Sequence, residues 1–196
     1  AFKAPFLDAE CNIENIVVNM DKQFSFPWTN DRFFDAMPES VLGIGLPIDT
    51  INLSEDKYDL IVFAYQPWFL SPSIPANSIL SNLEIRKRLN GIPVITIIGA
   101  RNMWLNAQEK VKKILKDCDA NHIGNIALTD ENNNLVSAIT ILHWMLTGKK
   151  DRFLGIFPMP GISKDAISGV NKFGAIVLNA MQRSDWQGLQ KKLVEA

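Results

Sequence analysis

Apolar residues are concentrated in short runs that are typical of buried strands. Tyr58 to Ala64, with its continuous apolar part Leu60 to Ala64, and Val94 to Ile98 have the composition of parallel strands covered on both faces. His122 to Leu128 and the shorter Asn15 to Met20 are similar. The pattern therefore predicts four strands.

Segments with helical signals alternate with these strands. The predicted helices are Ser78 to Asn90 (capped by Ser78 or Asn77), Leu105 to Lys116, Leu135 to Thr147, Lys164 to Met181 and Ser184 to Ala196. Such alternation is typical of an α/β protein with a parallel sheet. We therefore expect Tyr58 to Ala64 and Val94 to Ile98 to be adjacent parallel strands, joined through the helix Ser78 to Asn90.

Two connections are longer than the others. Asp21 to Lys57 is rich in Phe, Pro and Asp without regular spacing, so it is interpreted as an ordered loop with a short helix at Asp31 to Met37. Asp151 to Ser163 is interpreted as a loop. We expect the aromatic side chains of the first connection to be tied down on the domain.

The helix Leu135 to Thr147 is apolar nearly all round and ends at Gly148. Its length favours a buried core helix, with His143 as an ordinary core histidine. The alternative is an interfacial helix lying on lipid or on an acyl ligand, with Lys149 and Lys150 facing headgroups.

Composition narrows the functional classes. The chain has 196 residues, of which 47% are apolar, and a net charge of -1, so a nucleic-acid partner is not expected. Cys11 and Cys118 have no metal-binding spacing and are expected to be unpaired thiols of a reducing, cytoplasmic setting. No apolar run reaches the roughly 18 residues of a transmembrane helix.

The candidate site begins where the strand Tyr58 to Ala64 ends. Ligands of parallel α/β sheets bind outside the carboxyl ends of the strands. Prolines stiffen the loop that follows this strand, and its candidate binding residues are Gln66, Pro67, Trp68 and Phe69. A planar aromatic ligand would suit such a loop.

The second half of the candidate site follows the strand Val94 to Ile98. It comprises Gly99, Ala100, Arg101, Asn102 and Trp104. Glycine permits close backbone approach, the polar side chains offer donors, and the indole offers a flat face. The alternative is that Arg101 pairs with a carboxylate and Trp104 packs as core.

Three fragments carry a family resemblance. Phe34 to Gly43, Trp68 to Pro75 and Arg101 to Val111 resemble flavodoxin-like, NAD(P)H-dependent oxidoreductases, and are most similar to the bacterial dialkylresorcinol condensing enzymes. The likeness runs from about Phe24 to Lys150. It implies a three-layer α/β/α fold with strand order 2-1-3-4-5, a domain over residues 1–150 with a helical extension over 151–196, FMN at the strand ends, and NAD(P)H as electron donor.

The chain departs from this family at its first strand and phosphate loop. No segment matches either one, and Gly43-Ile-Gly45 lacks the preceding strand that a phosphate cradle requires. We therefore expect further residues before Ala1 and after Ala196. If the chain instead starts at Ala1, a segment from elsewhere must fill the position between Asn15 to Met20 and Tyr58 to Ala64, because buried backbone groups need partners.

Two functions remain open at this stage. The first is an FMN-dependent oxidoreductase acting on a small aromatic or acyl-bearing substrate. It would carry out a redox step in the synthesis of an alkyl-aromatic lipid with no catalytic side chain, since the cofactor supplies the chemistry. The second is a non-catalytic binding or assembly module that has lost the cofactor. A homodimer is compatible with both.

Overall fold

The computed structural model describes residues 1–196 and contains a three-stranded parallel sheet in which Pro93–Ala100 lies between Ile61–Tyr65 and Asn121–Thr129. A separate pair of short antiparallel strands, Pro67–Trp68 and Ser71–Pro72, follows the first strand. The strands are β1 (Ile61–Tyr65), β2 (Pro67–Trp68), β3 (Ser71–Pro72), β4 (Pro93–Ala100) and β5 (Asn121–Thr129). The prediction that the first two long apolar runs form adjacent parallel strands is confirmed.

Ten helices surround the sheet. They are α1 (Ala4–Asp8), α2 (Asn30–Asp35), α3 (Met37–Leu42), α4 (Ile74–Ser81), α5 (Leu83–Leu89), α6 (Leu105–Asp117), α7 (Asn134–Thr147), α8 (Lys164–Ser168), α9 (Asn171–Gln182) and α10 (Leu189–Glu195), with a single 3₁₀ turn at Phe153–Gly155. The predicted helices at 105–116 and 135–147 and the predicted strand at 122–128 are confirmed to within a few residues.

One face of the sheet packs against α4, α5 and α6. Val94 and Ile98 of β4 are fully buried there, and they meet a helix whose apolar residues recur every four positions, at Ala107, Val111 and Leu115. Residues at this spacing share one side of a helix. The side chains of α6 therefore close this half of the core.

The opposite face packs against α1, α9 and α10. Ile95 of β4 and Ile126 of β5 share an apolar cluster with Phe6, Val177 and Leu193. Because neighbouring residues of a strand point to opposite faces, β4 contributes to both halves of the core. The two C-terminal helices are part of this second half.

Four predicted helices have different boundaries in the structure. The helix predicted at 78–90 begins earlier, because the Ser73 hydroxyl accepts from the Ala76 N–H and Pro75 suits the first turn. This helix ends at Asn82, whose side chain caps the next helix, α5. The helix predicted at 164–181 divides at Gly169 into α8 and α9, and the one predicted at 184–196 begins only at Leu189. The single short helix predicted at 31–37 is replaced by α2 and α3.

The predicted strand Asn15 to Met20 is wrong. Residues 15–19 have no regular secondary structure, and only Met20 forms an isolated antiparallel bridge, to Ile48. A strand exists only where a neighbour completes its hydrogen bonds, which apolar composition alone does not guarantee. No ladder joins this segment to β1.

The prediction that β1 is covered on both faces is also wrong. Phe63 and Tyr65 are buried, but Val62 and Ala64 on the opposite face are exposed. The helices α1, α9 and α10 cover β4 and β5 on that face and leave β1 open.

The helix α7 is not the buried core helix that its composition favours. Only Ser137 and Thr140 are buried, whereas Leu135, Ile139 and Leu142 form an exposed stripe at helical spacing. No other element covers this stripe. None of the helices has the length and apolarity required to cross a bilayer.

The two cysteines lie on opposite faces of the sheet. Cys11 packs with the cluster that contains α1 and α9, and Cys118 packs with the cluster around α6. Burial raises the pKa of the Cys118 thiol above its usual range. Both thiols are unbonded.

A buried polar network joins the sheet to α6. The Tyr65 hydroxyl donates to Gln108 Oε1 at 2.9 Å, and Gln108 Nε2 donates to Thr96 Oγ1 at 2.9 Å. His122 Nε2 lies 3.1 Å from the same threonine oxygen. Burial, reinforced by the charge of Lys112, lowers the pKa of His122, because both disfavour the imidazolium ion.

This network predicts a loss of stability in mild acid. A histidine whose pKa is lower in the folded state binds more protons when the chain is unfolded. Its contribution to the free energy of unfolding is therefore fully present above its ordinary pKa of about 6.5, and it is lost as the pH falls from there through the folded pKa. Urea unfolding between about pH 8 and about pH 5.5 should show this loss in the native protein, and a smaller loss in His122→Gln.

His143→Gln is the matched control, since it removes the other histidine. It should keep the native pH dependence attributed to His122. An equal reduction in both variants would contradict the assignment to the buried network.

Candidate functional site

The carboxyl ends of the three parallel strands lie together at one end of the sheet, here called the sheet edge. Tyr65 pairs with Ile98, and Ala100 pairs with Thr129. The loops after β1, β4 and β5 therefore begin side by side, at the edge where parallel α/β sheets bind ligands. Both predicted halves of the site lie here.

The loop after β1 folds back as the small β2-β3 hairpin. Its two turn residues, Phe69 and Leu70, have φ angles of 50° and 60°, in the left-handed region that disfavours residues with a Cβ by about 1–2 kcal/mol each. Asn-Gly is the usual choice for such a turn. The surrounding structure must therefore hold this turn in place.

Two side chains hold the hairpin from outside. The Ser40 hydroxyl of α3 is oriented toward the carbonyl oxygens of Trp68 and Pro72, at 3.0 and 3.2 Å. Lys110 of α6 donates to the Ser71 hydroxyl at 2.8 Å. The hairpin is thus fastened to helices on both sides.

The aromatic side chains of the hairpin pack away from the loop after β4. The Trp68 ring meets Trp28 and Phe24 edge-on, with centroids 4.9 and 5.1 Å apart, and Phe69 lies 4.8 Å from Phe33. These contacts form an aromatic cluster, which comprises Phe24, Trp28, Phe33, Trp68 and Phe69. The cluster anchors the long connection before β1, as expected for that connection.

The loop after β4 forms a polar cluster with the first turn of α7. Arg101 Nη1 donates to the backbone oxygen and to Oδ1 of Asn134, at 2.8 and 2.6 Å, and Asn102 Nδ2 donates to the same Oδ1 at 2.6 Å. The Oδ1 atom of Asn102 is buried and has no hydrogen-bond partner. Arg101 does not pair with a carboxylate.

Asp130, directly after β5, is a buried residue that the sequence analysis did not single out. Its Oδ1 accepts from the backbone and the side chain of Asn132, and its Oδ2 accepts from the Ser137 hydroxyl at 2.8 Å and from the Gly161 N–H at 3.0 Å. Four donors satisfy this carboxylate. It joins β5, α7 and the loop over residues 151–163.

The glycines do not form a phosphate cradle. A Cβ at Gly45 would lie 2.8 Å from the Ser78 Cα, so this glycine is required for close packing of its loop on α4. A Cβ at Gly99 would make an ordinary 3.5 Å contact with Ile162. Close packing therefore accounts for Gly45, and Gly99 is an ordinary strand position.

The predicted site residues thus fall into two groups. Trp68, Phe69 and Trp104 are half-buried in apolar clusters, with Trp104 against the α6 side of the sheet. The other six predicted residues lie at the sheet edge and offer polar side chains or backbone groups; they are Gln66, Pro67, Gly99, Ala100, Arg101 and Asn102. No aromatic pair joins the two loops, and their role in cofactor binding stays a prediction.

Two further features lie outside the predicted site. His143 Nε2 is 3.1 Å from Asp151 Oδ1, and its ring lies 4.5 Å from that of Phe153. An apolar cleft of about 350 Å³ on the solvent side of α2 and α3 is lined by Phe34, Met37, Pro38, Val41 and Leu42. No group of three or more His, Cys, Asp or Glu side chains is placed to hold a metal ion.

Comparison of the chain with protein-family models, with curated proteins and with solved structures finds no match.

The packing of Trp68 predicts a structural role for its side chain. Trp68→Ala should lower the free energy of unfolding by roughly 3 kcal/mol, because it removes contacts with two other aromatic rings. Phe34→Ala is the matched control: this residue is 63% exposed, and its truncation should cost about 1 kcal/mol or less. Urea unfolding measures both; equal losses would contradict a central role for Trp68.

Proposed function

We propose that this protein is a flavodoxin-like, FMN-dependent oxidoreductase whose ligand lies at the carboxyl edge of the sheet. The observation that carries the proposal is the polar cluster of Arg101, Asn102 and Asn134 at that edge. It combines a cation, a helix N-terminus and a buried acceptor without a partner.

Electrostatics favour an anionic ligand at this cluster. The N-terminus of the 14-residue helix α7 carries a partial positive charge, and the Arg101 guanidinium lies against it. The Asp130 carboxylate already offsets part of this charge, since its Oδ2 accepts from Ser137 of the same helix, but no carboxylate pairs with the Arg101 guanidinium. A phosphate group, of FMN or of NAD(P)H, would give Arg101 that partner.

The buried oxygen of Asn102 favours a ligand that carries a hydrogen-bond donor beside its anionic group. A buried acceptor without a hydrogen bond costs about 1–3 kcal/mol, which a donor from the ligand would recover. In FMN the ring N–H lies at the opposite end from the phosphate, whereas the hydroxyl groups of the ribityl chain lie beside the phosphate and can donate. A phosphate together with a neighbouring hydroxyl group is therefore the part of FMN that fits the polar residues.

The aromatic residues fit FMN less well. Trp68 and Phe69 are engaged in the aromatic cluster, so contact with a flavin ring would come from the backbone around Gln66 and Pro67 and from Gly99 and Ala100. The flavin would supply hydride or electron transfer, and the side chains at the edge would orient it. The substrate class proposed from the sequence, a small aromatic or acyl-bearing molecule, goes with this assignment.

A non-catalytic binding module is the second candidate. It is favoured by the exposed stripe Leu135, Ile139 and Leu142 on α7, a helix that contains no Asp, Glu, Lys or Arg. Such a surface suits an acyl chain or a partner protein.

Titration with FMN, followed by quenching of flavin fluorescence, tests the first candidate. Saturable binding is expected, and Arg101→Met should weaken it about tenfold, the effect of losing roughly 1.4 kcal/mol of charge-assisted hydrogen bonding. Lys149→Met, which removes an exposed cation from the other end of α7, should leave the affinity unchanged.

Calorimetry with decanoate separates the two candidates. Decanoate is titrated into the native protein and into Ile139→Lys, in which a charge interrupts the exposed stripe of α7. The oxidoreductase is contradicted, and the binding module favoured, if three results occur together. These are binding of decanoate to the native protein, weaker binding to Ile139→Lys, and no saturable binding of FMN.

A further inference from the structure

The two outermost strands of the parallel sheet, β5 and β1, differ in whether the chain supplies hydrogen-bond partners to their free sides, here called the β5 edge and the β1 edge. At the β5 edge, the Gln190 side chain of α10 acts like a neighbouring strand: its Oε1 accepts from the Asn125 N–H at 2.6 Å and its Nε2 donates to the Asn125 oxygen at 3.2 Å. Gly124 allows this approach, since a Cβ there would lie 2.9 Å from Leu193. The chain itself therefore covers this edge at Asn125.

The β1 edge has no such cover. Apart from the ladder to β4, the backbone of residues 61–65 makes no hydrogen bond with any other part of the chain. Val62 and Ala64 are exposed. Residues 60–66 contain no charge and no proline, which are the usual devices that protect an open edge from pairing.

A second apolar segment, residues 15–18, also lacks hydrogen-bond partners. The backbone of residues 15–18 makes no hydrogen bond, and Ile16 and Val17 are exposed, the latter to 84%. An apolar segment with unpaired backbone groups is unusual in a folded chain.

This segment is fastened to the two ends of β1 and not to its middle. At the beginning, Glu14 accepts from the Ser54 N–H at 3.0 Å and from the Tyr58 hydroxyl, shortly before β1 starts. At the end, Val18 and Met20 pack in one cluster with Trp68, shortly after β1 ends. Both segments therefore run in the same direction between the same two anchoring regions, and their central residues make no hydrogen bonds to each other.

We propose that the space between residues 15–18 and β1 is a binding slot for one uncharged, apolar β-strand of a partner polypeptide other than a second copy of this chain. The occupant pairs with β1 on one side and with residues 15–18 on the other, and so satisfies both sets of backbone groups. It is uncharged because neither wall carries a charge, and apolar because Val62 and Val17 require cover.

A peptide with the sequence of residues 94–98 between pairs of lysines serves as the probe, because that strand is buried on both faces in this protein. Hydrogen exchange is measured on the full chain with and without the peptide. Amide exchange should slow at least tenfold in both 61–65 and 15–18 at saturation. The same peptide with proline in place of its central threonine is the control and should have no effect.

Val62→Lys should weaken peptide binding at least tenfold, whereas Leu135→Lys, a matched change of an exposed apolar residue on α7, should not. Far-ultraviolet circular dichroism checks that both variants are folded. Three results overturn the proposal: amides of 61–65 that are as protected as those of β4 without peptide, slowing in 61–65 without slowing in 15–18, or protection that appears only with self-association in sedimentation.

Discussion

The central strand β4 imposes the constraint on which the rest of the structure depends. It is hydrogen-bonded on both sides, and Val94, Ile95 and Ile98 are fully buried on its two faces. A strand of this kind is stable only when helices cover both faces of the sheet. The helix α6 provides one cover, and α1, α9 and α10 provide the other, so the chain ends are drawn into the same core as the central strand.

The same constraint explains how the sheet edge is built. Parallel strands all end on one side, which brings three loops together, and each loop must satisfy its own backbone and bury its own apolar side chains. The loop after β1 does this with the aromatic cluster, and Asp130 does it for the loop after β5. Arg101 and Asn102 are the residues of these loops whose hydrogen-bond donors and acceptor are only partly used within the chain.

The two outermost strands of the sheet, β1 and β5, have a neighbouring strand on one side only. Gln190 takes the place of a fourth strand beside β5 at one residue, Asn125. Beside β1 no side chain performs this task, and the neighbouring residues 15–18 remain without regular structure although their composition suits a strand. Strand formation is a property of pairs, and an apolar segment without a partner stays irregular.

The sequence by itself determined the α/β class, the strands β1, β4 and β5, and the helices α6 and α7, because continuous apolar runs and helical spacing are local signals. It also placed both loops at one edge. Only the tertiary structure decided where side chains point: Trp68 turns into the aromatic cluster, α7 leaves Leu135 and Ile139 exposed, and Asp130 becomes a buried junction. The physical reason is that burial and hydrogen-bond partners depend on neighbours distant in the chain, which no local pattern specifies.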